Sequence, residues 1–146
     1  MRSIELWEVE DYQKVVGGWI EALDIPDFGC TMYLNEEGLI RRLPYNRRAT
    51  YLWWYHVPHA RGRARLAGDT VLVGPPDRDG RSTNIPTAAH DLMLGAAVCQ
   101  VELQRLNSDQ WRAAPIDPQT CIEAIVGATL GMEYAPERSL RVVTLP

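Results

Sequence analysis

Glycine, proline and asparagine are placed so that they constrain this chain more than any other feature. Gly17-Gly18, Pro26 with Gly29, the Asn-Glu-Glu-Gly run at 35–38, Pro44, Pro58, Gly68-Asp69, Gly74-Pro75 and Asn107-Ser108-Asp109 cut it into short segments, because such residues end helices and turn strands. Ile4, Leu6 and Trp7 have the makings of a strand start, but Tyr12, Val15 and Val16 fall on one helical face. The second pattern predicts a helix over Val9–Val16, closed by Gly17 in a left-handed cap. Residues 19–23 and 31–34 alternate like strands, with Pro26, Asp27 and Gly29 between them. The 35–38 run reads as a turn with Gly38 at positive φ, joining a hairpin that ends near Leu43.

Asn46 is a good helix N-cap, and Arg47–His56 contains no Gly or Pro. Ala49, Leu52, Trp53 and His56 share one face of that helix, while Arg47, Tyr51, Trp54 and Tyr55 share roughly the opposite one. A helix aromatic on both sides is unusual at a surface. Residues 70–73 read as a central strand, 77–80 as a turn and 86–94 as a short helix. Residues 97–106 and 110–113 form a second hairpin about Asn107-Ser108-Asp109. Asp117 as cap and Pro118 at the first helical position open a helix with an inward stripe of Cys121, Ile122, Ile125, Val126 and Leu130, ended by Gly131; residues 140–145 add a last strand. Strands and helices do not alternate in the βαβ manner, so the expected class is α+β: a mostly antiparallel sheet with two to four helices packed on it, as a single domain over 1–146.

Composition bounds the rest. A chain of 146 residues, 46% apolar and with five Trp, buries enough surface for a full core without a disulfide. Cys30, Cys99 and Cys121 are odd in number, widely spread and form no C-x-x-C pair, which points to a reducing, cytoplasmic setting. The start at Arg2, Glu5, Glu8 and Glu10 lacks the basic-then-apolar pattern of a secretory signal, and the longest nearly apolar run, 92–99, is too short to span a membrane. Net charge is −4, but residues 41–81 hold nine Arg against Asp69, Asp77 and Asp79, a balance of +6, leaving −10 elsewhere. Lys14 is the only lysine, so the positive charge sits on guanidinium groups that fork and stack.

Val16-Gly17-Gly18-Trp19-Ile20-Glu21, Leu34-Asn35-Glu36-Glu37-Gly38, Asn46-Arg47-Arg48-Ala49-Thr50 and Gly68-Asp69 with Val71-Leu72-Val73-Gly74-Pro75 follow one another in that order. The series resembles an uncharacterised domain-of-unknown-function family of actinophages, bacteria and plasmids, whose members show Gly-Gly-aromatic-Ile-Glu, Asn-Glu-Glu-Gly, Asn-x-x-Ala-Thr and Val-x-Val-Gly motifs. The resemblance covers about residues 9–90 and leaves the helix and strand of about 107–146 outside it. It carries over no activity, cofactor or catalytic residue. It implies an accessory protein of a phage or mobile element that binds a host or phage macromolecule, with counter-defence as one context.

Most candidate chemistry dissolves on inspection. Gly17-Gly18 precedes a strand, whereas phosphate-binding glycines open a helix. Glu36 and Glu37 are adjacent in a turn and simply face water. His56 and His59 are separated by Pro58 and have no third metal ligand nearby. Asp77-Arg78-Asp79-Gly80 begins like a calcium loop but lacks its closing Glu. No local pattern couples a Cys to a His as a nucleophile. The sequence thus identifies no catalytic residue, metal ligand or cofactor, and an enzyme of unfamiliar design would need a concave pocket gathering polar groups. One constellation remains: Arg47, Arg48, Tyr51, Trp54, Tyr55, Arg61, Arg63 and Arg65, with Arg41 and Arg42 close by. Guanidinium groups pair with phosphates and aromatic faces stack on bases, so the cluster suits nucleic acid or a nucleotide phosphate. The competing reading packs the rings into a core or a homodimer interface and matches the cations to carboxylates. The expected partners are accordingly a host or phage protein, or nucleic acid, or a second copy, and not a membrane.

Overall fold

The computed structural model describes residues 1–6, 8–136 and 138–146; Trp7, part of the strand start weighed above, lies outside the described residues. Residues 1–6 form neither helix nor strand, and α1 (Val9–Val16) ends at Gly17, whose φ of 77° is the left-handed cap expected. β1 (Ile20–Ile25) and β2 (Cys30–Asn35) pair antiparallel from Ile20↔Asn35 to Ile25↔Cys30. β2 also pairs with β3 (Val71–Pro76), and β3 with the short β4 (Ser82–Thr83), giving the order β1-β2-β3-β4. Period-two alternation sends Val71, Val73, Ile20 and Tyr33 toward α1, where Val16 joins them. Leu23, Ile25, Met32, Leu34 and Leu72 leave the sheet on the other side and enter the main core.

That core is built on α2 (Arg47–His56). A second sheet lies beyond it: β5 (Val98–Gln104) pairs antiparallel with β6 (Trp111–Ala113), β7 (Gln119–Thr120) and β8 (Ser139–Thr144). Between α2 and this sheet runs α4 (Cys121–Tyr134), while α3 (Thr87–Leu94) flanks it. Ile122, Ile125 and Val126 of α4 point into the main core; Cys121, Ala124 and Ala128 face Cys99, Val101, Leu103, Leu140 and Val142 of the second sheet. A helix apolar all round belongs inside a protein. The layers therefore run α1, first sheet, α2 with α4, second sheet: an α+β fold with, among the described residues, four α-helices and antiparallel pairing throughout the strands.

Four expectations need correction. Residues 36–42 form turns rather than a strand, so no hairpin reaches Leu43; β2 finds its second neighbour in β3 instead. Arg42, at φ 54°, takes the left-handed conformation expected of Gly38. Gly38 is needed for space, because a Cβ there would lie 2.8 Å from the Ala67 carbonyl oxygen. The last helix starts at Cys121 rather than Pro118, since Gln119 and Thr120 pair with Cys99 and Val98 first. It continues past Gly131 to Tyr134, and Gly131 gives room to Leu140, whose Cδ1 would sit 2.7 Å from a Cβ.

The fourth correction concerns cysteine. Cys99 and Cys121 form a disulfide, with Cα atoms 4.8 Å apart, and Cys30 alone is free and buried. The β5–β7 pairing brings β5 to the start of α4, within the span a disulfide bridges. A spacing of 22 residues hides that contact in the sequence. Two of the three cysteines thus lend no support to a reducing compartment. Burial raises the pKa of the Cys30 thiol, which donates to the Phe28 carbonyl at 3.4 Å. No described helix is long and apolar enough to cross a membrane.

The oxidised chain should show one thiol when titrated in denaturant, and three after reduction. Reduction should cost about 3 kcal/mol of stability in a denaturant melt, the loss expected for a loop of this length. His56 supplies a second check. It stacks on Phe28 at 4.7 Å, meets Tyr55 edge-on at 5.1 Å, and buries Nε2 without a partner. Burial lowers its pKa, against a smaller upward pull from Asp27. The unfolded chain therefore takes up this proton more readily than the folded one, so stability falls as pH drops below about 6.5 and levels off below the folded value. Melts between about pH 7 and pH 5 should show this slope, reduced in His56→Phe.

Candidate functional site

The aromatic half of the expected binding cluster is inside the protein. Trp54 is 1% exposed and its Nε1 donates to the Ala64 carbonyl at 2.9 Å, which satisfies the indole on the inner side. Tyr51 is buried and meets Trp54 edge-on at 5.3 Å. Tyr55 is half-buried, and its hydroxyl accepts the Val142 amide at 2.9 Å, tying α2 to β8. Tyr51 and Trp54 thus offer no face for a base. The helix is aromatic on both sides because the first sheet and the 61–66 segment cover one side and α4 covers the other. The ring excess that suggested a homodimer is thus accounted for within one chain.

The cations divide. Arg48 donates to Glu123 of α4 through Nε at 3.0 Å and Nη2 at 2.7 Å, an exposed pair worth well under ~1 kcal/mol. Arg61 reaches inward, with Nη2 3.3 Å from the Trp54 carbonyl and Nε buried without a partner. Arg47, Arg63 and Arg65 are exposed and form no ion pair among the described residues. Arg65 places its guanidinium 5.8 Å over the ring of Tyr45, which is 47% exposed. Tyr45 is the exposed Tyr of the basic segment. Its position between Pro44 and Asn46 is the only hint of it in the sequence, since it belongs to no periodic pattern.

The four motifs meet in space, and most of their residues fix backbone. Asn35, 1% exposed, donates Nδ2–H to the Val16 carbonyl at 3.2 Å and accepts the Glu37 amide at 2.9 Å. The Glu36 amide donates to the Trp19 carbonyl at 3.0 Å. Gly18 has no room for a side chain: a Cβ would lie 2.7 Å from Asn35 Nδ2 and 2.9 Å from Arg41 Nη1. Arg41 Nη1 in turn donates to the Gly17 carbonyl at 2.6 Å. Asn46 caps α2 through the Ala49 amide at 3.1 Å while its Nδ2 donates to the Gly68 carbonyl at 2.8 Å. Thr50 accepts the Leu66 amide at 3.0 Å. Gly38 against Ala67 links the first pair of motifs to the second.

What this scaffold presents outward is apolar. Trp19 is 66% exposed, Leu39 62% and Ile40 83%. Trp19 lines a shallow cleft of about 290 Å³ with Gln13, Gly18, Glu37 and Arg41, and Leu39 and Ile40 lie on the loop between those last two residues. The loop is tightened by Arg41 N to Glu37 O at 2.8 Å, Arg42 N to Leu39 O at 3.1 Å and Leu43 N to Gly38 O at 2.9 Å. Glu21, Glu36 and Glu37 are exposed around it. The cleft holds one carboxylate and one guanidinium, the latter engaged by backbone, which suits recognition better than acid-base chemistry. Sequence reasoning missed this patch by reading Leu39 and Ile40 as strand. A signal was present, since Leu39-Ile40 followed by Arg41-Arg42 breaks the alternation that a half-buried strand requires.

No curated protein and no solved structure matches the chain. Residues 1–94 match a family model that takes in α1, the whole first sheet, α2 and α3, including every residue of the exposed patch and its supporting motifs. The chain therefore belongs to the family described as Domain of unknown function (DUF3846).

Proposed function

We propose that this protein is a non-enzymatic accessory protein of a phage or mobile element, which binds a host or phage protein through Trp19, Leu39 and Ile40. The observation that carries the reading is the exposure of three large apolar side chains around a cleft whose backbone is held by Asn35, Gly18 and Arg41. Rigid loops that present apolar groups to water are docking sites, because hiding such surface drives association. The charge around them defines the partner. Residues 1–42, which include the patch, carry nine acidic residues against Arg2, Lys14, Arg41 and Arg42, so the complementary surface is apolar with a net basic rim. A second copy is disfavoured, since two-fold pairing sets Glu21, Glu36 and Glu37 against their own kind. Counter-defence and placement in the host-cell cytoplasm accompany this reading through the resemblance to phage and plasmid sequences. The Cys99–Cys121 disulfide weighs against that compartment.

A second reading, binding of nucleic acid or nucleotide phosphate, is favoured by one observation: Arg65 stacked over the accessible Tyr45 ring. It retains Arg47, Arg63 and Arg65 from the sequence cluster and moves the stacking ring to Tyr45.

Ile40→Asp and Trp19→Ser remove exposed side chains and should leave the thermal melt nearly unchanged. Affinity capture from the native host should then recover a basic protein with the wild-type chain and lose it, about tenfold or more, with either variant. Equal recovery with all three chains contradicts the docking surface.

A further inference from the structure

Across the junction of α2 with the segment that precedes β3, two strands of chain run antiparallel. Tyr45 bridges Ala67, the Asn46 amide donates to the Leu66 carbonyl at 2.9 Å, and the Gly68 amide donates to the Pro44 carbonyl at 2.8 Å. Arg47, the first residue of α2, follows Asn46 on one of these segments, and Arg65 precedes Leu66 on the other. Like charges brought close repel, and no carboxylate among the described residues forms an ion pair with either. Arg47 also stands in the first turn of α2, which contains no acidic residue, where the helix end disfavours a cation. Arg63 is exposed two residues before Arg65. Beside this group the Tyr45 ring is accessible, with the Arg65 guanidinium over it. Tyr45, the Glu133 carboxylate and Arg47 all act on the Tyr51 hydroxyl: burial raises its pKa first, Tyr45 and Glu133 raise it further, and Arg47 lowers it. Tyr45, Arg47 and Arg65 therefore share one neighbourhood, with Glu133 at its edge.

We infer that Tyr45, Arg47 and Arg65 form a binding site for single-stranded nucleic acid, in which the two guanidinium groups hold a backbone phosphate and an unpaired base stacks on Tyr45 or on the guanidinium above it. The inference rests on the second reading above. A phosphate gains charge-assisted, bidentate hydrogen bonds from Arg47 and Arg65, which form no ion pair among the described residues. The ring selects for an unpaired base, because duplex bases are stacked on each other and cannot reach it. Arg63 extends the basic surface along the strand. Arg48 and Arg61 lie outside the site, one held by Glu123 and the other turned inward on Trp54.

Fluorescence anisotropy with a short labelled single-stranded oligonucleotide, as DNA and as RNA, tests this against the duplex of the same sequence and against inorganic polyphosphate. The wild-type chain should bind the single strands more tightly than the other probes, and Tyr45→Ala should weaken single-strand binding about tenfold or more, with Tyr45→Phe restoring it. Arg47→Ala with Arg65→Ala should flatten the dependence of affinity on salt by about one unit of slope, the share of the single phosphate the two hold. If the wild-type chain binds single strands but Tyr45→Ala and the double Arg variant bind equally well, nucleic-acid binding stands and this site is overturned. If it binds polyphosphate or duplex as well as single strands, the stacking role of Tyr45 is overturned. If it binds none of the probes, the site and the second reading fall together.

Discussion

The packing of α2 against α4 is the interaction on which the rest of the structure depends. Leu52 and Trp54 are almost completely buried because α2 lies between the first sheet and a second helix, and that helix comes from residues beyond the family region. Ile122, Ile125 and Val126 sit in the same core as Ile25, Met32 and Leu34, so one hydrophobic cluster crosses the boundary at residue 94. Burying aromatic and branched side chains of this size contributes on the order of 2 kcal/mol each. The contact is fastened by Thr129, whose hydroxyl lies 2.8 Å from the Ile125 carbonyl and 3.4 Å from that of Tyr51, by Arg48 with Glu123, and by Tyr55 reaching the Val142 amide. The second sheet and its disulfide hold α4 from behind.

This arrangement decides which residues are left for function. With Tyr51, Trp54 and most of Tyr55 committed to packing, the exposed rings and apolar side chains lie outside the core. Two such groups stand out. Trp19, Leu39 and Ile40 are exposed beside a cleft lined by Glu37 and Arg41, while the Tyr45 ring lies under the Arg65 guanidinium. The same motif residues stand behind both. Asn35, Gly18 and Arg41 fix the first surface, Asn46 and Thr50 fix the second, and the close approach of Gly38 to Ala67 joins them. The motifs of the family region thus act as backbone carpentry, and the side chains they aim outward set the chemistry.

Local structure was legible in the sequence wherever a local cause produced it. Gly17 stops α1, Asn46 starts α2, and Pro26 with Gly29 turns β1 into β2, each through its own backbone geometry. Features set by distant partners were not legible. The 36–42 loop depends on Ala67 approaching Gly38, the start of α4 depends on β5, and the disulfide depends on both. The site followed the same rule. Arg47 and Arg65 were recognisable as chemistry, but Trp54 and Tyr55 were assigned to recognition because periodicity shows that a face is aromatic without showing what covers it. Tyr45 was overlooked because an isolated bridge has no sequence period.

Native-state hydrogen exchange on the oxidised chain tests the central claim most directly. If α4 seals α2, the amides of Leu52 and Trp54 and those of Ile125 and Val126 should open together, with a common free energy near that of global unfolding. Exchange of α4 at low denaturant while the α2 amides stay protected would contradict it, and would mean that residues 1–94 bury their aromatic helix without help.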